Sequence, residues 1–137
     1  MKVNLIRKND DFLMEATNDT GNTVIMDANP AIGGGNMGFR PMQIVLAGLA
    51  GCTSIDVLMI LKKKRQIVTS YRVEIEGQRD EGKEPAVFTH IHIRFLLSGD
   101  LDPAKVEHAI NLSLEKYCSV AKMLEQTAEI TSSYQIN

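Results

Sequence analysis

The sequence predicts a soluble α+β fold, organised as a single domain over residues 1–137. Three observations support this class. Short apolar runs separated by turn residues come first, a long apolar helix follows over residues 42–61, and two long alternating segments precede a helix pair and a last strand. The resulting order, βββ–α–ββ–αα–β, lacks the regular strand–helix alternation of α/β proteins and is typical of α+β proteins.

The first thirty residues predict a three-stranded meander. The apolar runs VNLI, FLMEA and TVIMD are separated by polar gaps at residues 8–11 and 18–22. Asp, Asn and Gly in such gaps favour hairpin turns. The glycine-rich run at residues 33–38 lacks the Lys-Ser or Lys-Thr pair of a phosphate-binding loop, so we interpret it as a flexible connection.

The central segment predicts a long helix that starts at Pro41 and continues to about Arg65. Residues 42–61 are almost entirely apolar and residues 62–65 are basic, a pattern that transmembrane helices share. Asp56 argues against a membrane span, because an acidic residue inside a bilayer costs roughly 2.5–3.5 kcal/mol. We therefore expect no membrane insertion and a helix buried on both sides in a soluble protein.

Two long strands follow, at residues 68–78 and 87–97, and both alternate apolar with polar residues. Such alternation predicts a hairpin with one solvated face. His90 and His92 are two residues apart and share a strand face, as metal ligands could. No third ligand is evident nearby, so the sequence favours two solvated side chains over a metal site.

The last third of the chain predicts two helices and a closing strand. Asp102 suits the N-cap and Pro103 the first position of a helix that runs to about Lys116. Cys118 begins a second, short helix, and residues 128–136 form the last strand.

Composition excludes some classes of function. A net charge of −2, 5% aromatic residues and the absence of Trp argue against nucleic-acid binding. The N-terminus has neither the apolar middle nor the cleavage site of a signal peptide, so the cytoplasm is the expected compartment. Two cysteines in a reducing compartment are reactive or simply buried rather than a structural disulfide.

Both cysteines are predicted near helix starts. If Gly48 and Gly51 break the central helix, Cys52 begins its second part, and Cys118 begins a helix of its own. Helix N–H groups stabilise a thiolate and lower a thiol pKa. A thiolate attacks peroxides to give sulfenic acid, which a second thiol converts to a disulfide. The alternative, that each cysteine is only a buried apolar residue, stays open at this point.

Two stretches resemble motifs of the OsmC/Ohr family, named for osmotic induction and organic hydroperoxide resistance. RPMQIVLAGLAGCTSIDVLMILKKKR resembles its central helix with the first reactive Cys, and LSLEKYCSVAKMLEQTAEI resembles its second Cys motif. The residues PMQ and FTHI resemble the YhfA-like branch. The resemblance implies an OsmC-like fold, an intertwined homodimer with active sites at the interface, and Cys52 and Cys118 as catalytic residues.

The chain departs from the family pattern next to the first cysteine. Typical members carry a Glu ten residues before it and an Arg on the N-terminal hairpin. Here the Glu position is Met42, with Gln43 beside it, and no Arg lies between Arg7 and Arg40. Arg40 and Gln43 are therefore our candidates for activating the Cys52 thiolate, although a solvent-facing Arg40 is the simpler alternative.

The resemblance implies a thiol-dependent peroxidase that reduces organic hydroperoxides, with no metal or cofactor and with an external dithiol as reductant. Two alternatives follow from the missing Glu and Arg. One is a protein that binds an apolar ligand in the same pocket without catalysis. The other is a thiol redox sensor whose cysteines cycle slowly.

Overall fold

The computed structural model describes all residues, Met1–Asn137. They form two compact units, Met1–Val45 and Leu46–Asn137. The elements in chain order are β1 (Val3–Arg7), β2 (Met14–Asn18), β3 (Thr23–Met26), a 3₁₀ turn (Pro30–Ile32), α1 (Pro41–Lys63), β4 (Ile67–Arg79), β5 (Phe88–Asp100), α2 (Pro103–Leu112), a π turn (Ser113–Tyr117), α3 (Ser119–Leu124) and β6 (Glu129–Ile136). This order confirms the predicted α+β class.

The N-terminal unit contains the predicted meander. Strands β1, β2 and β3 pair antiparallel in sequence order. Asn18 closes the second turn, since its side-chain oxygen accepts hydrogen bonds from the backbone N–H groups of Thr20 and Asn22. Asn side chains that bind nearby backbone in this way are a common cause of turns.

The glycine-rich connection is built around one buried carboxylate, which the sequence analysis did not anticipate. Asp27 is 2% exposed, and its two oxygens accept hydrogen bonds from the backbone N–H groups of Ala28, Gly35 and Met37. The hydrogen bond from Met37 does most to hold the pKa of Asp27 below its usual value, against the opposing effect of burial. Gly34 is needed there because a Cβ would overlap the Ala28 carbonyl.

Helix α1 runs without a break from Pro41 to Lys63, so its two glycines do not interrupt it. A Cβ added at Gly48 or Gly51 would meet nothing within 4 Å, and neither glycine accommodates a close neighbour in this chain. Cys52 consequently lies in the interior of the helix. The predicted stabilisation of its thiolate by a helix start does not apply.

Within one chain the helix is buried on one side only, so the chain itself does not supply the expected burial on the second side. Leu49, Thr53 and Val57, one turn apart, are fully buried. The opposite side is apolar and exposed, and we call it the apolar face of α1: it consists of Gly48, Gly51, Ile55, Leu58 and Met59. By length and composition the helix could cross a membrane, with a mean hydropathy of 2.2 over an 18-residue window that is 28% buried.

The C-terminal unit contains a three-stranded sheet in the order β4–β5–β6, together with most of α1 and with helices α2 and α3. Strands β4 and β5 form an antiparallel hairpin, while β6 pairs parallel to β5. A parallel pair needs a long crossover, and α2, the π turn and α3 supply it. Along β5 the residues alternate as predicted, with Ile91, Ile93 and Phe95 buried and His90 and His92 exposed.

The crossover differs from the sequence prediction in one place. Asp102 caps α2 as expected, because its carboxylate accepts a hydrogen bond of 2.9 Å from the Ala104 N–H. The helix ends at Leu112 rather than near Lys116. The chain then widens into the π turn, in which the Cys118 N–H donates to the Ser113 carbonyl at 2.8 Å.

Candidate active site

The structure brings together three side chains with reactive or ligating atoms. The Cys52 sulfur, the Cys118 sulfur and a carboxylate oxygen of Asp56 all lie within 4.8 Å of one another. Both cysteines are free thiols. Sequence reasoning named the two cysteines as site residues, but considered Asp56 only as an argument against a membrane span.

Helix geometry explains half of this cluster. Cys52 and Asp56 are four residues apart on α1 and therefore share one helix face. The other half comes from the crossover. The π turn carries one more residue per hydrogen-bonded ring than an α-helix does, and Cys118 is the residue that ends it.

Ser113 connects the two halves. Its hydroxyl donates a hydrogen bond of 3.0 Å to an Asp56 carboxylate oxygen, and its carbonyl accepts the Cys118 N–H. Ser113 is fully buried, so this bond fixes the Asp56 carboxylate beside the two sulfurs. Ser113 was not singled out from the sequence, because 57 residues separate it from Asp56.

Cys118 is fully buried and holds its proton. Its sulfur caps the short helix α3 and accepts a hydrogen bond of 3.3 Å from the Ala121 N–H. Burial, and next the neighbouring Cys52 sulfur, raise the pKa of Cys118 to about 11, against the lowering effect of the Ala121 N–H. The prediction that a helix start lowers this pKa is therefore wrong: the position is correct, but desolvation outweighs the cap.

Cys52 differs from Cys118 in its exposure. Its side chain is half-buried, whereas Cys118 has no exposed surface. Its helix neighbours Ala50 and Gly51 are small, and Gly51 is exposed. In the single chain Cys52 is therefore the more accessible of the two cysteines.

A half-buried tyrosine places its hydroxyl against the same helix. The Tyr71 hydroxyl of β4 is buried without a hydrogen-bond partner, and burial raises the pKa of Tyr71 to about 12. The Ser54 hydroxyl is close enough to offset this rise slightly, but it donates its hydrogen bond to the Ala50 carbonyl at 2.6 Å. No pattern in the sequence pointed to Tyr71.

Arg40 and Gln43 have hydrogen-bonding roles within the N-terminal unit. The Arg40 guanidinium donates to the Gly38 carbonyl and to the Asn36 side chain at 3.2 and 2.7 Å. The Gln43 side chain accepts the Arg40 backbone N–H at 2.9 Å, one half of a capping box at the start of α1. Activation of Cys52 by either residue stays a prediction.

The side chains of His90 and His92 on β5 contact polar neighbours. Both ring nitrogens of His92 lie within 2.9 Å of hydroxyl groups, those of Thr131 and Ser133. His90 lies 3.4 Å from the Glu129 carboxylate on the exposed side of the sheet. These contacts fit the predicted solvated face.

A close thiol pair of unequal exposure can do two kinds of chemistry. It can form a disulfide if the two sulfurs, which lie within 4.8 Å of each other, approach to the S–S bond length of about 2.05 Å. With the Asp56 carboxylate it also presents three donors of the kind that bind a thiophilic metal ion.

Comparison with known proteins identifies the family of the chain. Residues 33–133 match the family model described as OsmC-like protein. Protein YhfA of Escherichia coli is 43% identical over 126 residues, which cover 91% of this chain and 89% of that protein.

Solved structures share the fold over nearly the whole chain. A hypothetical protein from Aquifex aeolicus has 28% identity and a TM-score of 0.81, covering 99% of this chain and 96% of that one. The organic hydroperoxide resistance protein OhrB of Bacillus subtilis has 20% identity and a TM-score of 0.66, covering 98% and 96%. By the family match and the identity to YhfA, the chain belongs to the OsmC-like protein family, in its YhfA-like branch.

Proposed function

We propose that this protein is a thiol-dependent peroxidase that reduces organic hydroperoxides by a two-cysteine cycle. The observation that carries the proposal is the pairing of a half-buried Cys52 with a fully buried Cys118, whose sulfurs lie within 4.8 Å. The fold is also that of proteins named for hydroperoxide resistance, such as OhrB of Bacillus subtilis.

The cycle needs only sulfur and an external dithiol. The Cys52 thiolate attacks a peroxide oxygen, so that an S–O bond forms and the O–O bond breaks. The released alkoxide takes a proton and leaves as an alcohol, and Cys52 becomes a sulfenic acid. The Cys118 sulfur then attacks the Cys52 sulfur, an S–S bond forms, and hydroxide leaves with the Cys118 proton as water. A dithiol of the cell reduces the disulfide, supplying two electrons and two protons.

The roles of the two cysteines follow from their surroundings. Cys52 is the peroxidatic residue because solvent and substrate reach it. Cys118 is the resolving residue because burial withholds it from substrate and, together with Cys52, keeps its thiol protonated. Its proton is then available to the hydroxide that leaves in the second step.

We further propose a cytoplasmic homodimer with the active sites at its interface. The apolar face of α1 supports this assembly, since Ile55, Leu58 and Met59 are 69%, 37% and 46% exposed in one chain. A symmetric partner would cover them by packing the same face against itself. Apolar side chains around Cys52 would favour alkyl or lipid hydroperoxides over hydrogen peroxide.

The test is consumption of cumene hydroperoxide with a dithiol reductant. We expect turnover by the wild type, none by Cys52→Ser, and a single oxidation of Cys118→Ser that stops at a sulfenic acid. Dimedone trapping and intact mass would detect that acid. An adduct in Cys52→Ser but not in Cys118→Ser would reverse the roles, and no reaction by any form would reject the peroxidase.

A second candidate function is binding of an apolar ligand without catalysis. The N-terminal unit has a cavity of about 220 Å³ with an almost wholly apolar lining. Its walls are Leu5, Phe12, Met14, Met26, Asp27, Ala28 and Pro41. This function is favoured over the peroxidase if the wild type consumes no hydroperoxide but binds an apolar fluorescent probe, and if the Met14→Glu variant no longer binds that probe.

A further inference from the structure

We propose that the reduced protein binds one thiophilic divalent cation, zinc in the first place, through Cys52, Asp56 and Cys118. Their ligand atoms lie within 4.8 Å of one another. In a tetrahedral zinc site two sulfurs at 2.3 Å from the metal are ~3.8 Å apart. The two sulfurs therefore need to approach each other by at most about 1 Å, which side-chain rotation can supply.

The carboxylate is already oriented as zinc ligands usually are. Side chains that bind zinc are typically held by a further hydrogen bond that fixes their direction. Ser113 gives Asp56 this bond at one oxygen, 3.0 Å away, and leaves the other oxygen free for a metal. Ser113 itself is fully buried, so the support is rigid.

The carboxylate of the cluster has no other cation to pair with. Asp56 has no ion-pair partner among the lysines, arginines and histidines of the chain. Metal binding would turn both thiols into thiolates, and the three negative charges that then arise would be offset in large part by a divalent ion. Binding replaces the two thiol protons, so each zinc ion taken up releases up to two protons to solvent.

The donor set decides which cation fits. Thiolate sulfur selects zinc and related soft ions over magnesium or calcium, which prefer all-oxygen sites. Three protein ligands leave one position open, and the half-buried side at Cys52 is where solvent would complete it. The disulfide form has no thiolates, so metal binding and oxidation exclude each other.

The inference uses the same reduced thiols as the proposed peroxidase but does not require turnover. A bound metal would hold both sulfurs and block attack on a peroxide. We therefore expect one equivalent of zinc to stop peroxide consumption and a chelator to restore it. Magnesium should have no effect.

The experiment is a titration of reduced, metal-free protein with Co²⁺ and Zn²⁺. We expect one metal ion per chain, measured by elemental analysis after gel filtration, and thiolate-to-cobalt charge-transfer absorption. Cys118→Ser and Asp56→Asn should lose the tight site. Ser113→Ala should bind ~10–100-fold more weakly, as loss of a supporting hydrogen bond does, and Ser119→Ala, a matched change at an exposed neighbour, should bind normally.

The outcomes separate the two proposals. If the wild type consumes peroxide but retains no metal, or if Asp56→Asn and Ser113→Ala both bind with unchanged affinity, the metal site is rejected and the peroxidase stands. If zinc binds as expected but no form consumes peroxide, the peroxidase is rejected and the metal site stands. Circular dichroism of each variant checks that loss of binding is not loss of fold.

Discussion

The apolar face of α1 allows a quantitative prediction for the dimer. Burial of a whole Ile side chain is worth about 1.5–3 kcal/mol, and Ile55 is 69% exposed in one chain. A partner that covers it would therefore gain roughly 1–2 kcal/mol from each copy. A twofold interface uses each residue twice, which makes about 2–4 kcal/mol per dimer.

Replacing this side chain with a charged one should remove at least that free energy. At 1.4 kcal/mol per tenfold, Ile55→Asp should raise the dissociation constant about 30- to 700-fold, and desolvation of the new carboxylates adds to this. Sedimentation velocity over a range of protein concentrations measures the change. Ile67→Asp is the matched control, because Ile67 is 62% exposed but lies outside the apolar face.

Two results would refute the reasoning. One is a wild type that stays monomeric and folded at micromolar concentration. The other is an Ile55→Asp variant that dissociates no more than Ile67→Asp does. Either would mean that the exposed side of α1 is covered by something other than a second copy of the chain.

Three further predictions follow from single residues. Because the pKa of Cys118 is raised from 9.0 to about 11, its contribution to stability is complete below pH 9 and is lost as the pH rises to about 11. Denaturant melts should show a fall in this window that is smaller in Cys118→Ser, where the raised pKa of Tyr71 still contributes above pH 10. Gly99→Ala should lower the free energy of unfolding by more than ~1 kcal/mol, since the φ of Gly99 is +138° and a Cβ would overlap a backbone carbonyl of β4. The control Gly82→Ala should melt as the wild type does, because a Cβ there has room. Arg40→Ala should slow alkylation of Cys52 only modestly, because position 42, where typical family members have a Glu, is Met in this chain and offers no carboxylate to pair with Arg40. A fall of a hundredfold or more in the alkylation rate would contradict this prediction.

The elements that the sequence predicted are those with local causes. Alternation of apolar and polar residues marked β4 and β5, and Asp102 with Pro103 marked the start of α2. Each signal lies within a few residues of the structure that it produces. The order of elements and the position of Cys118 at the start of α3 therefore agree with the structure, whereas Cys52 lies inside α1 rather than at a helix start.

The parts that were not predicted depend on distant contacts. Asp56 and Ser113 are 57 residues apart in the sequence, and no local pattern near either residue predicts their hydrogen bond. The burial of Cys118, which reverses the expected direction of its pKa, comes from packing of the whole C-terminal unit. The exposure of one side of α1 could not be predicted either, because an apolar helix has the same sequence whether its own chain or a partner covers it.

The π turn makes the thiol pair sensitive to the length of the chain. A π turn is equivalent to one residue inserted into an α-helix, so deletion of a single residue from Ser113–Tyr117 would restore ordinary helical spacing. Cys118 would then rotate by about 100° around the helix axis and turn away from Cys52. Loss of one codon would thus separate the two thiols, while both cysteines remained in the gene.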